Sequence, residues 1–312
     1  MPLRPLDNAL PASMERPRKV AKVAAPPPSS KKASVVQIAP DPPMNDENAP
    51  PPAAAEQSID YIASEDLKAL TDPETKMAVL MDELNSKDWM KVCGTLNDLR
   101  RMTLHHPSLL VQILGNVTTV IVKAMKSPRS ALCKTSIMAS TDIFHSFGHL
   151  LLSTIEDNSF DQLLLQLLLK ASQDKKFICE EAEKALEKMA VTMSPIPLLE
   201  KLQSYANHAN LRVRAKAAVA MSKCVSKMSI EVIKEFGFAT LLQVAAEQLN
   251  DRLPEAREAA RSVILSIHGE FSNDSNLKND EESSAAAESW QSFCSANLPP
   301  ILAQSVAKIV SL

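Results

Sequence analysis

The sequence predicts an all-α solenoid of about six helical hairpins preceded by a Pro-rich tail, and three observations carry that prediction. Polar corners recur at Trp89, Arg129, Lys175, Arg212 and Pro254, spaced 40, 46, 37 and 42 residues apart. A period of that size, made of two helices and a tight turn, belongs to arrays in which each hairpin buries its apolar faces by stacking on its neighbours. Between the corners, apolar residues fall at i, i+3, i+4, i+7, the spacing of one helix face. The composition is 45% hydrophobic with 4% aromatic and 5 Gly. That suits Leu/Ala/Met-packed helices and leaves few glycines for nucleotide-binding loops or tight β-turns.

Residues 1–60 hold 13 of the 21 prolines and no glycine, with no helical periodicity. Such a segment cannot bury enough apolar surface to fold, so a disordered tail is expected. Its charge is split. Arg4, Arg16, Arg18, Lys19, Lys22, Lys31 and Lys32 dominate residues 1–40, whereas residues 41–60 carry only Asp41, Asp46, Glu47, Glu56 and Asp60. A basic arm of this kind suits an acidic partner surface, a nuclear-import signal or plain solubilisation.

The helical body is expected over residues 65–270, with the pattern changing near Ser64. Thr71-Asp72-Pro73-Glu74 places a cap before a Pro in the first turn, and Met77, Leu80, Met81 and Leu84 then form one stripe, answered by Val92, Leu96 and Leu99. The second hairpin runs through Leu110, Ile113, Val117, Ile121 and Met125. It turns at Ser127-Pro128-Arg129-Ser130 and returns through Leu132, Ile137, Ile143 and Phe147. Ser before Pro stops one helix where the next can start. The third uses Phe160, Leu163, Leu164, Leu167 and Leu168, turns at Gln173-Asp174-Lys175-Lys176 and returns through Ile178, Ala182, Ala185 and Met189. Its Leu-rich run is apolar nearly all round, as a helix inside an array should be. The fourth enters at Pro195 and Pro197, turns at Asn207–Asn210 and returns through Val213, Ala217, Ala220 and Cys224. The fifth has a first helix interrupted near Gly237, turns at Asn250–Pro254 and returns through Ala256, Ala260, Val263 and Ile267. Polar, acidic, Ser/Asn-rich residues 271–284 read as a linker. Residues 285–312 then supply two short helices, about Ala285–Ser295 and Ile301–Leu312. Their apolar face at Ile301, Leu302, Val306 and Ile309 caps the fifth hairpin or meets a partner, self-association included.

Formal net charge is −3, so overall electrostatics predicts neither nucleic-acid nor membrane binding. No apolar run approaches the about 18 residues of a membrane span, and residues 1–30 lack a signal-peptide core. Of five cysteines, Cys93, Cys133 and Cys179 each fall four residues after a corner residue, the phase of a small packed side chain in a reducing compartment. Cytoplasm or nucleus is the expected location. No Walker, dinucleotide, nucleophile-elbow or CxxC pattern is present. His145 and His149 are four apart, with Gly148 and an expected helix end between them, and no third ligand follows by spacing. Neither an enzyme, a metal site nor a cofactor is expected.

The remaining chemistry lies in the corners. Lys87, Trp89 and Lys91, then Arg129 and Ser130, then Lys175 and Lys176, then Asn210, Arg212 and Arg214, then Arg252 and Arg257 lie in or just after successive turns. Stacked hairpins set those turns along one edge, which should be basic. Trp89, between Asp88 and Met90 rather than on a stripe, is a candidate anchor, since Trp and Arg dominate binding hot spots. Alternatively its ring folds back over the hairpin.

In order and spacing, Asp88-Trp89 with Leu96 and Leu99-Arg100, then Ser127-x-Arg129-Ser130, then Asp174-Lys175-Lys176-x-Ile178-x-Glu180-x-Ala182, then Asn210-x-Arg212-Val213-Arg214, then Asp251-x-x-Pro254-Glu255-Ala256-Arg257 resemble a TOG domain, in the manner of the CLASP and crescerin branches. The resemblance implies a paddle of six HEAT repeats that binds tubulin or microtubules through its intra-repeat turns, as part of the cytoskeleton. Carried over by position, the contacts would be Trp89, Arg129, Ser130, Lys175, Lys176, Asn210, Arg212 and Arg257; Lys91 and Arg252 join the edge from the corner pattern. The basic tail at residues 1–40 would add attraction to acidic tubulin tails. Pro128 stiffens the second turn and one such domain is present, which suits lattice binding or partner docking better than polymerase activity. The competing reading is an armadillo-type adaptor holding a peptide in a groove of helix faces, for which Asn and Trp ladders would be expected; the inner helices show none.

Overall fold

Helix boundaries in the computed structural model follow the capping and proline signals of the chain. It describes residues 61–155, 157–278 and 283–311, so the tail expectations for residues 1–60 lie outside the described residues. The first hairpin is α1 (Pro73–Leu84) and α2 (Trp89–His105); the second is α3 (Leu114–Met125) and α4 (Ser130–Thr154). The third is α5 (Asp157–Ala171) and α6 (Lys176–Thr192), and the fourth is α7 (Pro195–Gln203) and α8 (Leu211–Val225). In the fifth, α9 (Ile230–Phe236) and α10 (Phe238–Gln248) together face α11 (Pro254–Lys278); α12 (Ser283–Asn297) and α13 (Pro300–Val310) close the array. Among the described residues there is no strand.

The second helices pack one on the next, α2 on α4, α4 on α6, α6 on α8 and α8 on α11, which makes a continuous layer behind the turns. One core runs through the stack, from Leu80 and Leu96 through Phe144, Phe160 and Leu164 to Leu199, Leu242 and Ile267. Between α8 and α11 the packing is by small residues, Ala215 and Ala218 against Ala256 and Ala259. Gly148 serves a similar end. A Cβ there would lie 2.7 Å from the Thr192 carbonyl oxygen, so only glycine lets the ends of α4 and α6 approach this closely. Gly237, at φ 104°, makes the break between α9 and α10.

Four expectations need correcting. Helix does not begin at Ser64: residues 61–70 are a strap with one 3-10 turn at Ser64–Asp66. It is held by Arg100 rather than by its own ladder. That guanidinium, only 1% exposed, donates to Asp142 at 2.6 Å, the Ile62 carbonyl at 2.8 Å, Asn97 at 3.1 Å and Ser64 at 3.2 Å. Leu110 and Ile113 are not in α3 but in the 3-10 turns and joint that precede it, set off by Pro107. α4 continues through Gly148 to Thr154, so His145 and His149 sit on exposed turns of one unbroken helix. Residues 271–278, expected as linker, prolong α11. Tertiary packing overrides the weak local propensity there: Phe271 stacks among Phe238, Trp290 and Phe293, with ring centroids 5.2–5.8 Å away.

The same aromatic cluster seats the C-terminal pair. Trp290 is 3% exposed, and Cys294, Leu298 and Val306 are buried with it, while Gln243 of α10 donates to the Asn297 carbonyl at 3.2 Å. Val306 thus belongs to the core, whereas Ile301 is 77% exposed. Of the face read from the sequence, Val306, Leu302 and Ile309 pack on the body where α13 meets α10 and α11, and Ile301 stays outside that contact.

Candidate functional site

Four of the five turns between paired helices are shaped by a short polar side chain that takes up a free amide. Asp88 accepts from the Met90 N–H at 2.9 Å, Ser127 from Arg129 at 3.2 Å, Asn210 from Arg212 at 3.0 Å and Asp251 from Leu253 at 2.8 Å. These side chains satisfy orphan amides at the start of α2, α4, α8 and α11 and fix where each turn points. The third turn lacks such a cap and closes through backbone bonds, Ser172 N–H to Leu169 and Gln173 N–H to Lys170.

Neighbouring turns are tied to one another. The Arg129 guanidinium lies 4.9 Å from the centroid of the Trp89 ring, a cation–π contact joining the first and second turns. Lys175 Nζ donates to Ser130 Oγ at 3.1 Å, joining the second and third. Arg212 Nη1 donates to Asp174 at 2.6 Å and to the Ser172 carbonyl at 3.2 Å, joining the third and fourth. Arg214 Nε donates to Asp251 at 2.8 Å while its Nη1 holds the His208 carbonyl at 2.7 Å, joining the fourth and fifth. The five corners form one unbroken row.

The candidate residues separate by what they touch. Trp89, Arg129, Ser130, Lys175 and Arg212 lie together in the row and take part in its links. Trp89 is half-buried against the core, so its ring folds partly back while Arg129 covers it. Asn210 is a cap. Lys91 turns toward α1, its Nζ 3.6 Å from Glu83. Lys176 is exposed and pairs along α6 with Glu180 at 3.7 Å. Arg257 braces the fifth turn by donating to the Asp251 and Arg252 carbonyls at 2.8 and 3.0 Å, and Arg252 is exposed beside it. Burial would raise the Asp251 carboxyl, but the Leu253 N–H and the Arg214 guanidinium outweigh it and hold that carboxyl below its ordinary value.

Two residues of the edge were missed. Phe177, in the first turn of α6 beside Lys176, is 44% exposed; the signal was an aromatic off the Ile178–Ala182–Ala185 stripe. Lys126, exposed beside Ser127, was legible as a corner cation. Away from the edge, the outer face of α6, α8 and α11 has an open groove of about 460 Å³. Its charges are matched: Lys216 reaches Glu183 at 2.7 Å and Glu255 at 2.5 Å, and Lys223 pairs with Glu187. Among the described residues no three His, Cys, Asp or Glu side chains are grouped to hold a metal ion, and no helix is long and apolar enough to cross a membrane.

A row of tied turns on a stack of hairpins is a feature that can be compared with known proteins. The family described as CLASP N terminal matches residues 76–284, well over half of the chain. The chain belongs to the CLASP N-terminal family. It is 25% identical over 216 residues to TOG array regulator of axonemal microtubules protein 1 of Mus musculus, covering 68% of this chain and 12% of that protein. Against the Homo sapiens protein of the same name it is 26% identical over 130 residues, covering 42% of this chain and 7% of that protein. The chain therefore spans a small part of these relatives. Among solved structures it is similar to the TOG domain of C. elegans Zyg9, with TM-score 0.53 and 14% identity over 78% of this chain and 88% of that one. A chain from work on microtubule plus end tracking by XMAP215, CLIP-170 and EB1 matches at TM-score 0.53 and 15% identity, over 78% and 93%. At such identities what is shared is the fold, and this CLASP N-terminal module has the TOG-type solenoid fold expected from its corners.

Proposed function

We propose that this module is a non-enzymatic tubulin-binding unit of the cytoskeleton, and that tubulin docks on the row of turns through Trp89, Arg129, Ser130, Lys175, Lys176, Arg212, Arg252 and Arg257. The observation that carries the reading is the continuity of the row. Exposed Lys87, Lys126, Arg129, Lys175, Lys176, Arg212 and Arg252 face solvent along one edge, against the exposed carboxylates Asp88, Asp174 and Glu255, of which Asp174 is taken by Arg212 and Glu255 by Lys216. A rigid cationic edge with an aromatic at one end and Phe177 near its middle suits a broad acidic protein surface, where steering comes from charge and affinity from desolvated anchors. Family membership and the microtubule-associated names of its relatives agree with that partner. Asn210 and Arg214 hold the turns in shape, and Lys91 stands at the margin.

The basic residues 1–40 add screened attraction to acidic tubulin tails. Polymerase-type activity draws on linked sites and effective concentration, so the module tested by itself is expected to bind tubulin or the lattice, or to dock a partner, without that activity. Co-sedimentation with polymerised tubulin, alongside size exclusion with free tubulin, tests the reading. Binding that weakens as salt rises is expected; no binding by either assay at low salt would overturn it and favour a non-cytoskeletal adaptor.

A further inference from the structure

The second turn, Lys126-Ser127-Pro128-Arg129, joins α3 to α4 next to the Trp89 end of the edge. Proline keeps the residue before it out of the helical region, and Arg129 is extended at φ −76°, ψ 112°. Ser127-Pro128-Arg129 thus forms a bend at the head of α4, with Pro128 and Arg129 exposed and Ser127 half-buried beside them. The Ser127 hydroxyl oxygen accepts the Arg129 N–H at 3.2 Å, and among the described residues no acceptor holds its proton. Around it stand Lys126, Arg129 and, through Ser130, Lys175.

We propose that Ser127 is an acceptor site for a proline-directed protein kinase, and that phosphate on it closes the row of turns to an acidic partner; the second half rests on the tubulin reading above. In the transfer, Ser127 Oγ attacks the γ-phosphorus of ATP. An O–P bond forms as the bond to the β,γ-bridging oxygen breaks, ADP leaves with that electron pair, and the hydroxyl proton passes to the kinase's base. The product carries about −1.5 to −2 charges and three acceptor oxygens at neutral pH. Arg129 and Lys126 are within the same turn, so charge-assisted bonds to the phosphate compete for the cations that would otherwise meet the partner. Drawing the Arg129 guanidinium to the phosphate also takes it from the Trp89 ring, which disturbs the anchor at the end of the row. The oxygens left facing solvent repel an acidic surface.

The chain supplies its own control. Ser194-Pro195 is a second Ser-Pro pair, at the cap of α7. It links the third hairpin to the fourth, at the opposite end of the helices from the turns, so a phosphate there should leave the row untouched.

The full chain, as Ser194→Ala to isolate one site, is treated with a cyclin-dependent kinase and ATP while folded, and the modified residue is mapped by mass spectrometry. Microtubule affinity is then read by co-sedimentation, and the phosphate is titrated by 31P NMR. The proposal expects Ser127 to be modified, affinity to fall at least ~10-fold, and the second phosphate pKa to drop below its usual value of about 6, returning toward it in Arg129→Ala. In Ser127→Ala, phosphate on Ser194 should leave affinity equal to that of the same variant unmodified. No modification of Ser127 in the folded chain, unchanged affinity after modification, or an equal loss from Ser194 phosphate would overturn the proposal. Should the unmodified chain fail to bind tubulin, it is the tubulin reading that fails. The titration then decides the switch: an undisturbed phosphate pKa overturns it and a depressed one upholds it.

Discussion

Arg100 and Asp142 show how a single residue pair holds the start of the solenoid. They are 42 residues apart in sequence, meet at 2.6 Å in the interior and fasten the strap through Ile62 and Ser64. Burying two charges is tolerable only because each finds its partner. Asp142→Ala leaves the guanidinium buried without a counter-charge and is expected to cost ~3–5 kcal/mol, read from the urea midpoint; a loss under ~1 kcal/mol would show that water or the backbone satisfies Arg100 alone. Such a pair leaves no trace in local spacing, which is why Arg100 read only as part of a helix motif. Asp251 offers a pH test at the same scale. Its carboxyl is held below the ordinary range, so its contribution is present above the unfolded-state pKa and is lost as pH falls through the folded value. Melting temperatures of the parent and Asp251→Asn should therefore differ at neutral pH and converge below the usual carboxylate range. A gap that stays constant with pH would mean that the carboxylate charge is not what Arg214 and Leu253 hold.

At the scale of elements, what the sequence disclosed and what it hid have distinct physical causes. Turns were legible because the chemistry that makes them is local: Ser127 before Pro128, Asn210 two residues before Arg212, Asp251 before Leu253. Stripes such as Leu163, Leu164, Leu167 and Leu168 were legible because burial repeats with the helix. The extension of α11 was not, because Phe271 gains its place only from rings that arrive later in the chain. The links between turns were equally hidden: Lys175 to Ser130 and Arg212 to Asp174 cross 45 and 38 residues. The C-terminal pair makes this testable. Deleting the chain from about residue 280 uncovers Phe238 and Phe271 and is expected to lower the melting temperature by roughly 6–12 °C, since Trp290 burial alone is worth ~3 kcal/mol and a domain of this size shifts about 2–4 °C per kcal/mol. An unchanged melting temperature with a loss of self-association would make these helices a partner face instead.

For the whole molecule, the stacked second helices give the turns a stiff backing and the bonds between turns give them a common frame. A partner therefore meets one edge rather than five loops. Residues at its ends and middle should act together, and the loss of an aromatic anchor alone can cost ~2 kcal/mol or more of binding. Because Lys175 and Arg212 are exposed in the turns, truncating either should cost only about 1 kcal/mol or less of stability, whereas Trp89, half-buried against the core, adds a packing loss of its own. Leu164→Ala is the opposite case: fully buried, it should destabilise by ~2–5 kcal/mol through a cavity while leaving the edge intact. The most direct measurement is tubulin co-sedimentation of the Trp89→Ala, Lys175→Ala, Arg212→Ala triple variant, with its thermal melt recorded beside it. If the row of turns is the docking edge, the variant still melts cooperatively well above the assay temperature and no longer binds. A folded variant that binds tubulin with the parent's affinity would contradict it.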